Sequence, residues 1–77
     1  MATVLEQLQA IVRDYTGEGS LKIEHETRFI ADIGLDSYDL ALLLGTVEEH
    51  FGIEIPSRAA IQMRTAGDMT EYIERLI

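Results

Sequence analysis

Apolar residues recur at helical spacing in three separate stretches of the chain. From Leu5 to Tyr15 they stand three or four positions apart, which predicts an amphipathic helix that ends at Gly17. A second stripe runs from Leu40 to Phe51, and a third begins at Met69. The stripes consist of Leu5, Leu8, Ile11, Val12 and Tyr15; Leu40, Leu43, Leu44, Val47 and Phe51; and Met69, Tyr72, Ile73 and Leu76.

Residues that can cap a helix stand in front of each stripe. A capping box pairs a Ser, Thr or Asp side chain with an acidic side chain three residues later, so that both satisfy free backbone amides. We expect the second helix to start after Asp36 and to end near Gly52. The three pairs are Thr3 and Glu6, Asp36 and Asp39, and Thr65 and Asp68.

The segments between the predicted helices carry no sustained period. Residues 18–36 read as a long loop whose scattered apolar residues hold it to the core. Residues 53–56 read as an extended link before Pro56, and residues 57–63 as one or two helical turns. We therefore predict an all-α fold without strand pairing: one domain, residues 1–77, forming a small four-helix bundle of three main helices and one short one. The loop residues expected in the core are Leu21, Ile23, Phe29, Ile30, Ile33 and Leu35.

Composition restricts the partners and the compartment. The 77 residues include 14 acidic and 6 basic side chains, a net charge of −8, which disfavours nucleic acid and favours partners with basic patches. The chain has no cysteine, which fits a reducing compartment and means that any thiol must come from an added group. No stretch reaches the roughly 18 apolar residues that a membrane span needs. We expect a soluble, cytoplasmic monomer that does not insert into membranes.

Ser37 stands at the start of the second predicted helix, between two aspartates. One interpretation is that Ser37 merely opens the helix. However, Asp36 already supplies the helix cap, which leaves the exposed serine hydroxyl without a structural role. A hydrolytic serine needs a general base, but His50 lies about 13 residues along the helix, close to 20 Å away. We interpret His50 and His25 as solvated side chains rather than catalytic ones.

Ion binding does not account for this segment. A calcium loop that started at Asp32 would place Ser37 and Leu43 where glycine and glutamate are required, so we predict no metal site. A helix start favours an anion by roughly 0.3–1 kcal/mol, but the carboxylates of Asp36 and Asp39 each oppose a phosphate by about 1 kcal/mol. Covalent modification of Ser37 by another enzyme is the remaining functional interpretation.

Three stretches of the chain match short motifs of one protein family. Residues 33–38 read Ile-Gly-Leu-Asp-Ser-Tyr, similar to the family signature of Leu or Ile, Gly, any residue, Asp-Ser-Leu. Residues 48–56 read Glu-Glu-His-Phe-Gly-Ile-Glu-Ile-Pro, close to the family's Glu-Glu-x-Phe-Gly-x-x-Ile-Pro. Residues 65–69 read Thr-Ala-Gly-Asp-Met, similar to Thr-Val-Gly-Asp-Leu. In these three motifs the chain resembles the acyl carrier protein family, and the resemblance covers nearly the whole chain.

The resemblance implies a stand-alone, non-catalytic carrier of acyl groups. Ser37 would receive a 4'-phosphopantetheine arm from coenzyme A through a magnesium-dependent holo-carrier-protein synthase, a phosphopantetheinyl transferase, and acyl groups would ride on the arm as thioesters. Its partners would be acyltransferases, ketosynthases or acyl-activating enzymes with basic patches, in fatty acid or specialised lipid or polyketide biosynthesis. The partner-binding residues would be Asp36, Tyr38, Asp39, Leu42, Glu48 and Glu49.

Several residues depart from the family pattern. Tyr38 replaces the usual leucine after the serine, while Leu42 and Arg58 stand where acids are common. These changes weaken the acidic surface near Ser37 and favour a pathway other than general fatty acid synthesis. Two alternatives stay open: a peptidyl or aminoacyl carrier, and an unmodified interaction module that docks through Leu42 and Ile61.

Small side chains follow Ser37 along the second predicted helix. Ala41 and Gly45 stand four and eight residues after it, although a glycine inside a helix costs about 1 kcal/mol relative to alanine. We predict either a groove for the arm or acyl chain along these positions, or a close helix crossing at Gly45.

Overall fold

The computed structural model describes residues 2–77 and contains four helices. They are α1 (Val4–Thr16), α2 (Ser37–Phe51), α3 (Ser57–Ala60) and α4 (Ala66–Leu76). The all-α architecture of three main helices and one short helix is confirmed. Within residues 2–77 the only extended pairing is an isolated antiparallel bridge between Arg28 and Thr65, which joins the long loop to the start of α4.

Each main helix begins with the capping box that the sequence predicts. At α2 the Asp36 carboxylate accepts the Asp39 N–H at 2.8 Å, and the Asp39 carboxylate accepts the Asp36 N–H at 3.4 Å. α1 and α4 begin in the same way. α1 and α2 end at Gly17 and Gly52, whose φ angles of 76° and 66° lie in the left-handed region that glycine adopts without strain.

The core lies where α1, α2 and α4 meet. It differs from the predicted core in the first and last turns of the helices. Leu76 is exposed because it lies in the last turn of α4, beyond the elements that cover the rest of that face. Val4 and Ala66, which the sequence reasoning omitted, are buried in the first turns of their helices. The buried apolar residues of the loop are Ile23, Phe29 and Leu35, whereas Leu21 and Ile33 are half-buried and Ile30 is exposed.

Hydrogen bonds fix the first half of the long loop to α1. The Gln9 side-chain amide donates to the Ile23 carbonyl at 2.7 Å, and the Arg13 guanidinium donates to the Leu21 carbonyl at 2.8 Å. The loop is therefore held in place by polar bonds as well as by its buried side chains.

Candidate functional site

Ser37 is the first residue of α2, and its side chain is exposed as predicted. The capping bonds at this helix start join Asp36 and Asp39 and do not use the Ser37 hydroxyl. Just upstream, Gly34 has a φ of 91°, a left-handed conformation that side-chain-bearing residues rarely adopt. The glycine therefore turns the chain into the helix, and the serine presents a hydroxyl that the cap leaves free.

An apolar cavity of about 530 Å³ lies beside Ser37. One wall is residues 28–31 of the loop, and another is residues 60, 61, 63 and 64. The third wall is the first two turns of α2, with Ser37, Leu40, Ala41 and Leu44. The lining is predominantly hydrophobic, so the cavity suits an apolar group attached next to it.

The predicted groove along α2 is correct for two of its three positions. Ser37 and Ala41 line the cavity. The next α2 residue in its lining is Leu44, and Gly45 is not part of the lining. Gly45 is exposed, and nothing lies within 4 Å of the position that a Cβ would take there. This excludes a close helix crossing as well. The prediction was wrong for Gly45 because a step of eight residues rotates the helix face away from the cavity.

The space around Gly45 leads to a stability prediction. Gly45→Ala should raise the free energy of unfolding by about 0.5–1 kcal/mol, because alanine restricts the unfolded chain and meets no neighbour in the helix. Urea unfolding followed by circular dichroism measures the change. A loss of stability would contradict the open environment that we describe for this position.

Two acidic residues that the resemblance assigns to partners form bonds within the chain. Asp39 is half-buried and accepts the Tyr15 hydroxyl at 3.0 Å, which joins α1 to the start of α2. Glu48 is half-buried, and its carboxylate accepts the Ile55 N–H at 2.6 Å, which holds the link before α3. The sequence reasoning missed both bonds, since no periodicity marks a partner on another element.

The bond between Tyr15 and Asp39 makes stability depend on pH. Partial burial raises the pKa of Tyr15 above its ordinary value of 10.0, and the hydrogen bond and negative charge of Asp39 raise it further. The folded state thus favours the neutral phenol. The contribution of Tyr15 to the free energy of unfolding is therefore complete below pH 10 and is lost as pH rises through the higher pKa of the folded state.

Absorbance titration of tyrosinate should therefore show a late phase above pH 10 that Tyr15→Phe removes. Asp39→Asn keeps an acceptor oxygen but removes the charge, so it should move this phase to lower pH. If the phase that Tyr15→Phe removes is centred at or below pH 10, the bond does not act as described.

The other predicted contact residues lie on the exposed surface of α2. Tyr38 is 71% exposed and Leu42 is 46% exposed. Glu49 is exposed, and its spacing of seven from Leu42 places the two on one face. Asp36 is exposed beside them at the helix start. The structure thus brings Asp36, Tyr38, Leu42 and Glu49 to the surface, and places Asp39 and Glu48 partly beneath it.

The two histidines are both exposed, and each takes part in a hydrogen bond with another segment of the chain. His50 lies in the last turn of α2, with its Nε2 atom 3.0 Å from the side-chain oxygen of Gln7. The His25 carbonyl accepts the Gly67 N–H at 2.8 Å at the start of α4. Neither of these bonds involves Ser37. Across residues 2–77, no three metal-ligating side chains come together, and no helix has the length and apolar character to cross a membrane.

Comparison with known proteins identifies the family. A family model described as a phosphopantetheine attachment site matches residues 6–73. The acyl carrier protein of Sinorhizobium fredii is 39% identical over 75 residues, which cover 97% of this chain and 96% of that one. The chain belongs to the acyl carrier protein family. Acyl carrier protein AcpP of Rhizobium meliloti matches with the same identity and coverage.

The fold agrees with this family. A solved structure of a candidate acyl carrier protein from Mycobacterium tuberculosis superposes with a TM-score of 0.90 and covers 97% of this chain and all of that one, at 24% identity. The matching family model describes the site to which phosphopantetheine is attached, and acyl carrier proteins are non-catalytic carriers. The exposed hydroxyl of Ser37 and the apolar cavity next to it fit such a group.

Proposed function

We propose that Ser37 carries the 4'-phosphopantetheine arm. The observation that supports this most strongly is an exposed serine hydroxyl, free of the helix cap, at the edge of an apolar cavity. In the transfer, the Ser37 oxygen would displace adenosine 3',5'-bisphosphate from coenzyme A and lose its proton, with a separate phosphopantetheinyl transferase and magnesium supplying the catalysis. The bound arm supplies a thiol that carries acyl groups as thioesters.

The chain itself would position and shelter the attached group. The capping box of Asp36 and Asp39 holds the first turn of α2 rigid, which fixes the direction in which Ser37 points. The cavity between the loop and α2 would exclude water from the apolar part of the cargo. These roles need no catalytic group on the chain itself.

Partner enzymes would approach along the exposed face of α2, from the end that presents Ser37 towards Glu49. Asp36, Tyr38, Leu42 and Glu49 would contact them directly, and Asp39 and Glu48 would support that surface through their internal bonds. We propose the synthase that adds the arm, and acyltransferases, ketosynthases or acyl-activating enzymes with basic patches, as these partners. The setting would be the cytoplasm, and the carrier would act as a stand-alone monomer in fatty acid, specialised lipid or polyketide biosynthesis.

Intact-protein mass spectrometry tests the attachment. The purified chain is incubated with coenzyme A, magnesium and a broad-specificity phosphopantetheinyl transferase, and should gain the mass of one phosphopantetheine group. Ser37→Ala should abolish the gain. Ser57→Ala is the matched control, because Ser57 is also an exposed first residue of a helix, and it should leave the gain unchanged. An equal gain on Ser37→Ala would refute the assignment.

A peptidyl or aminoacyl carrier is the second candidate: the net charge of −8 disfavours it, but the depleted acidic surface beside Ser37 keeps it open. Leu42 exposes apolar area where an acidic residue would suit the basic patches of fatty acid enzymes, and Tyr38 exposes an aromatic ring nearby. The modified chain can be offered to amino acid-adenylating enzymes and to fatty acid ketosynthases in parallel. Loading by the former alone would favour this candidate. An unmodified interaction module is the alternative that a mass gain on Ser37 would exclude.

A further inference from the structure

The charged residues of the cavity are both cationic, although the chain is strongly acidic. Arg28 and Arg64 line the cavity, and none of the 14 acidic residues does so. The sequence around Arg64 shows the same bias, since residues 55–67 contain two arginines and no acid. The charge of the cavity lining is thus positive, although the net charge of the chain is −8.

The backbone holds the two arginines next to each other. Arg28 forms the isolated bridge with Thr65, and the Phe29 N–H donates to the Arg64 carbonyl at 3.0 Å. Both arginines are exposed residues that also contribute to the cavity wall. An arginine in such a place packs its aliphatic stem against apolar surface and keeps its guanidinium in water. The polar heads therefore belong to the rim, with the apolar interior beside them.

Ion pairing leaves hydrogen-bond donors available at this rim. Arg28 donates to the Asp32 carboxylate through Nε and Nη2, both at 3.3 Å, in a pair that is exposed on both sides. The Arg28 N–H and guanidinium lower the pKa of Asp32, which keeps that partner ionised. A guanidinium has five N–H donors, so Arg28 retains some, and Arg64 contributes a second cationic side chain.

We propose that the preferred cargo of this carrier ends in a carboxylate at the end far from the thioester. The methylene chain would lie in the apolar cavity, and the terminal carboxylate would bind Arg28 and Arg64 at the rim. A methyl-terminated acyl chain could fill the cavity but would gain nothing from these cations. This inference rests on the proposed function, because the cargo reaches the cavity through the arm on Ser37.

Two acyl groups of equal length separate the contribution of the carboxylate. Octanoyl and suberyl phosphopantetheine are transferred from their coenzyme A thioesters to Ser37, and intact mass confirms that each protein is fully modified. The thermal midpoint and the arginine Nε–H signals in nitrogen-15 NMR spectra are then compared with those of the chain that carries the empty arm and with those of the unmodified chain.

The suberyl form should melt about 2–5 °C above the octanoyl form, and the Nε–H signals of Arg28 and Arg64 should shift only with the suberyl group. Without binding, one more negative charge on this acidic chain should lower the midpoint instead. Arg64→Gln should abolish the difference in midpoint, and Arg64→Lys should retain part of it. Arg58→Gln is the control, because it removes an equal exposed charge from the neighbouring helix outside the cavity lining.

Three results would overturn the proposal. The octanoyl and suberyl forms could show the same thermal midpoint and the same arginine signals. Arg58→Gln could reduce the difference in midpoint as much as Arg64→Gln does. The arginine signals could already shift when the empty arm is attached. The last result would mean that the arginines bind the phosphodiester of the arm rather than the cargo. Failure to attach any arm would show in the mass and would refute the proposed function itself.

Discussion

Replacing Phe29 with alanine is expected to lower the free energy of unfolding by about 3–5 kcal/mol. Phe29 belongs to the loop between α1 and α2, but its side chain is the largest of the fully buried ones in the core. Its N–H donates to the Arg64 carbonyl at 3.0 Å, and its carbonyl accepts the Leu35 N–H at 3.1 Å. A 77-residue domain has little stability in reserve, so this loss approaches the whole.

Urea unfolding followed by circular dichroism measures the effect. Ile30→Ala is the matched control: Ile30 is the next residue and also lines the cavity, but its side chain is exposed, so the loss should stay within about 0.5 kcal/mol. Phe29→Leu, which retains most of the volume, should cost less than about 1.5 kcal/mol and remain folded. Equal losses from Phe29→Ala and Ile30→Ala would show that the loop does not insert Phe29 into the core.

Gly67→Ala should lower the free energy of unfolding by about 1–3 kcal/mol, even though alanine is the better helix former. Gly67 is buried in the first turn of α4, and its N–H donates to the His25 carbonyl at 2.8 Å. A Cβ at this position would stand 2.8 Å from that carbonyl oxygen and 2.9 Å from the His25 ring nitrogen Nδ1. The loop must move away to admit it, which breaks the hydrogen bond.

The effect of Gly67→Ala is best measured beside that of Gly45→Ala in the same urea assay. Both exchanges add one methyl group to a helix, but they should change stability in opposite directions, because only Gly67 faces another backbone. His25→Ala combined with Gly67→Ala should recover only part of the loss, since the carbonyl clash remains. A Gly67→Ala variant as stable as the original chain would show that the loop and α4 are not in contact here.

The sequence predicted the helices well because their signals are local. Stripes at spacings of three and four, together with an acid three residues after each cap, identified the starts of α1, α2 and α4 to the residue. Long-range packing decided the positions where the prediction was wrong. Leu76 continues the apolar face of α4 but lies in its last turn, and Ile30 stands beside Phe29 but faces the cavity rim.

Of the candidate site, the sequence predicted only the contiguous segment around Ser37 and the α2 positions that follow it. The stretch around Ser37 showed a capped helix start with a spare hydroxyl, and the exposure of Tyr38 and Leu42 agrees with the departures noted in the sequence. The sequence predicted only the α2 wall of the cavity, through Ser37 and Ala41, because the other two walls come from segments far apart in the chain. The adjacency of Arg28 and Arg64 depends on the same distant pairing.

The central claim is that Ser37 carries the arm, and its most direct test is the state of the protein in the cells that produce it. The chain is purified from those cells, digested, and its peptides are analysed by tandem mass spectrometry. We predict that the peptide with Ser37 carries phosphopantetheine and ejects it on fragmentation. An unmodified Ser37 peptide throughout, or the arm on another residue, would contradict the account.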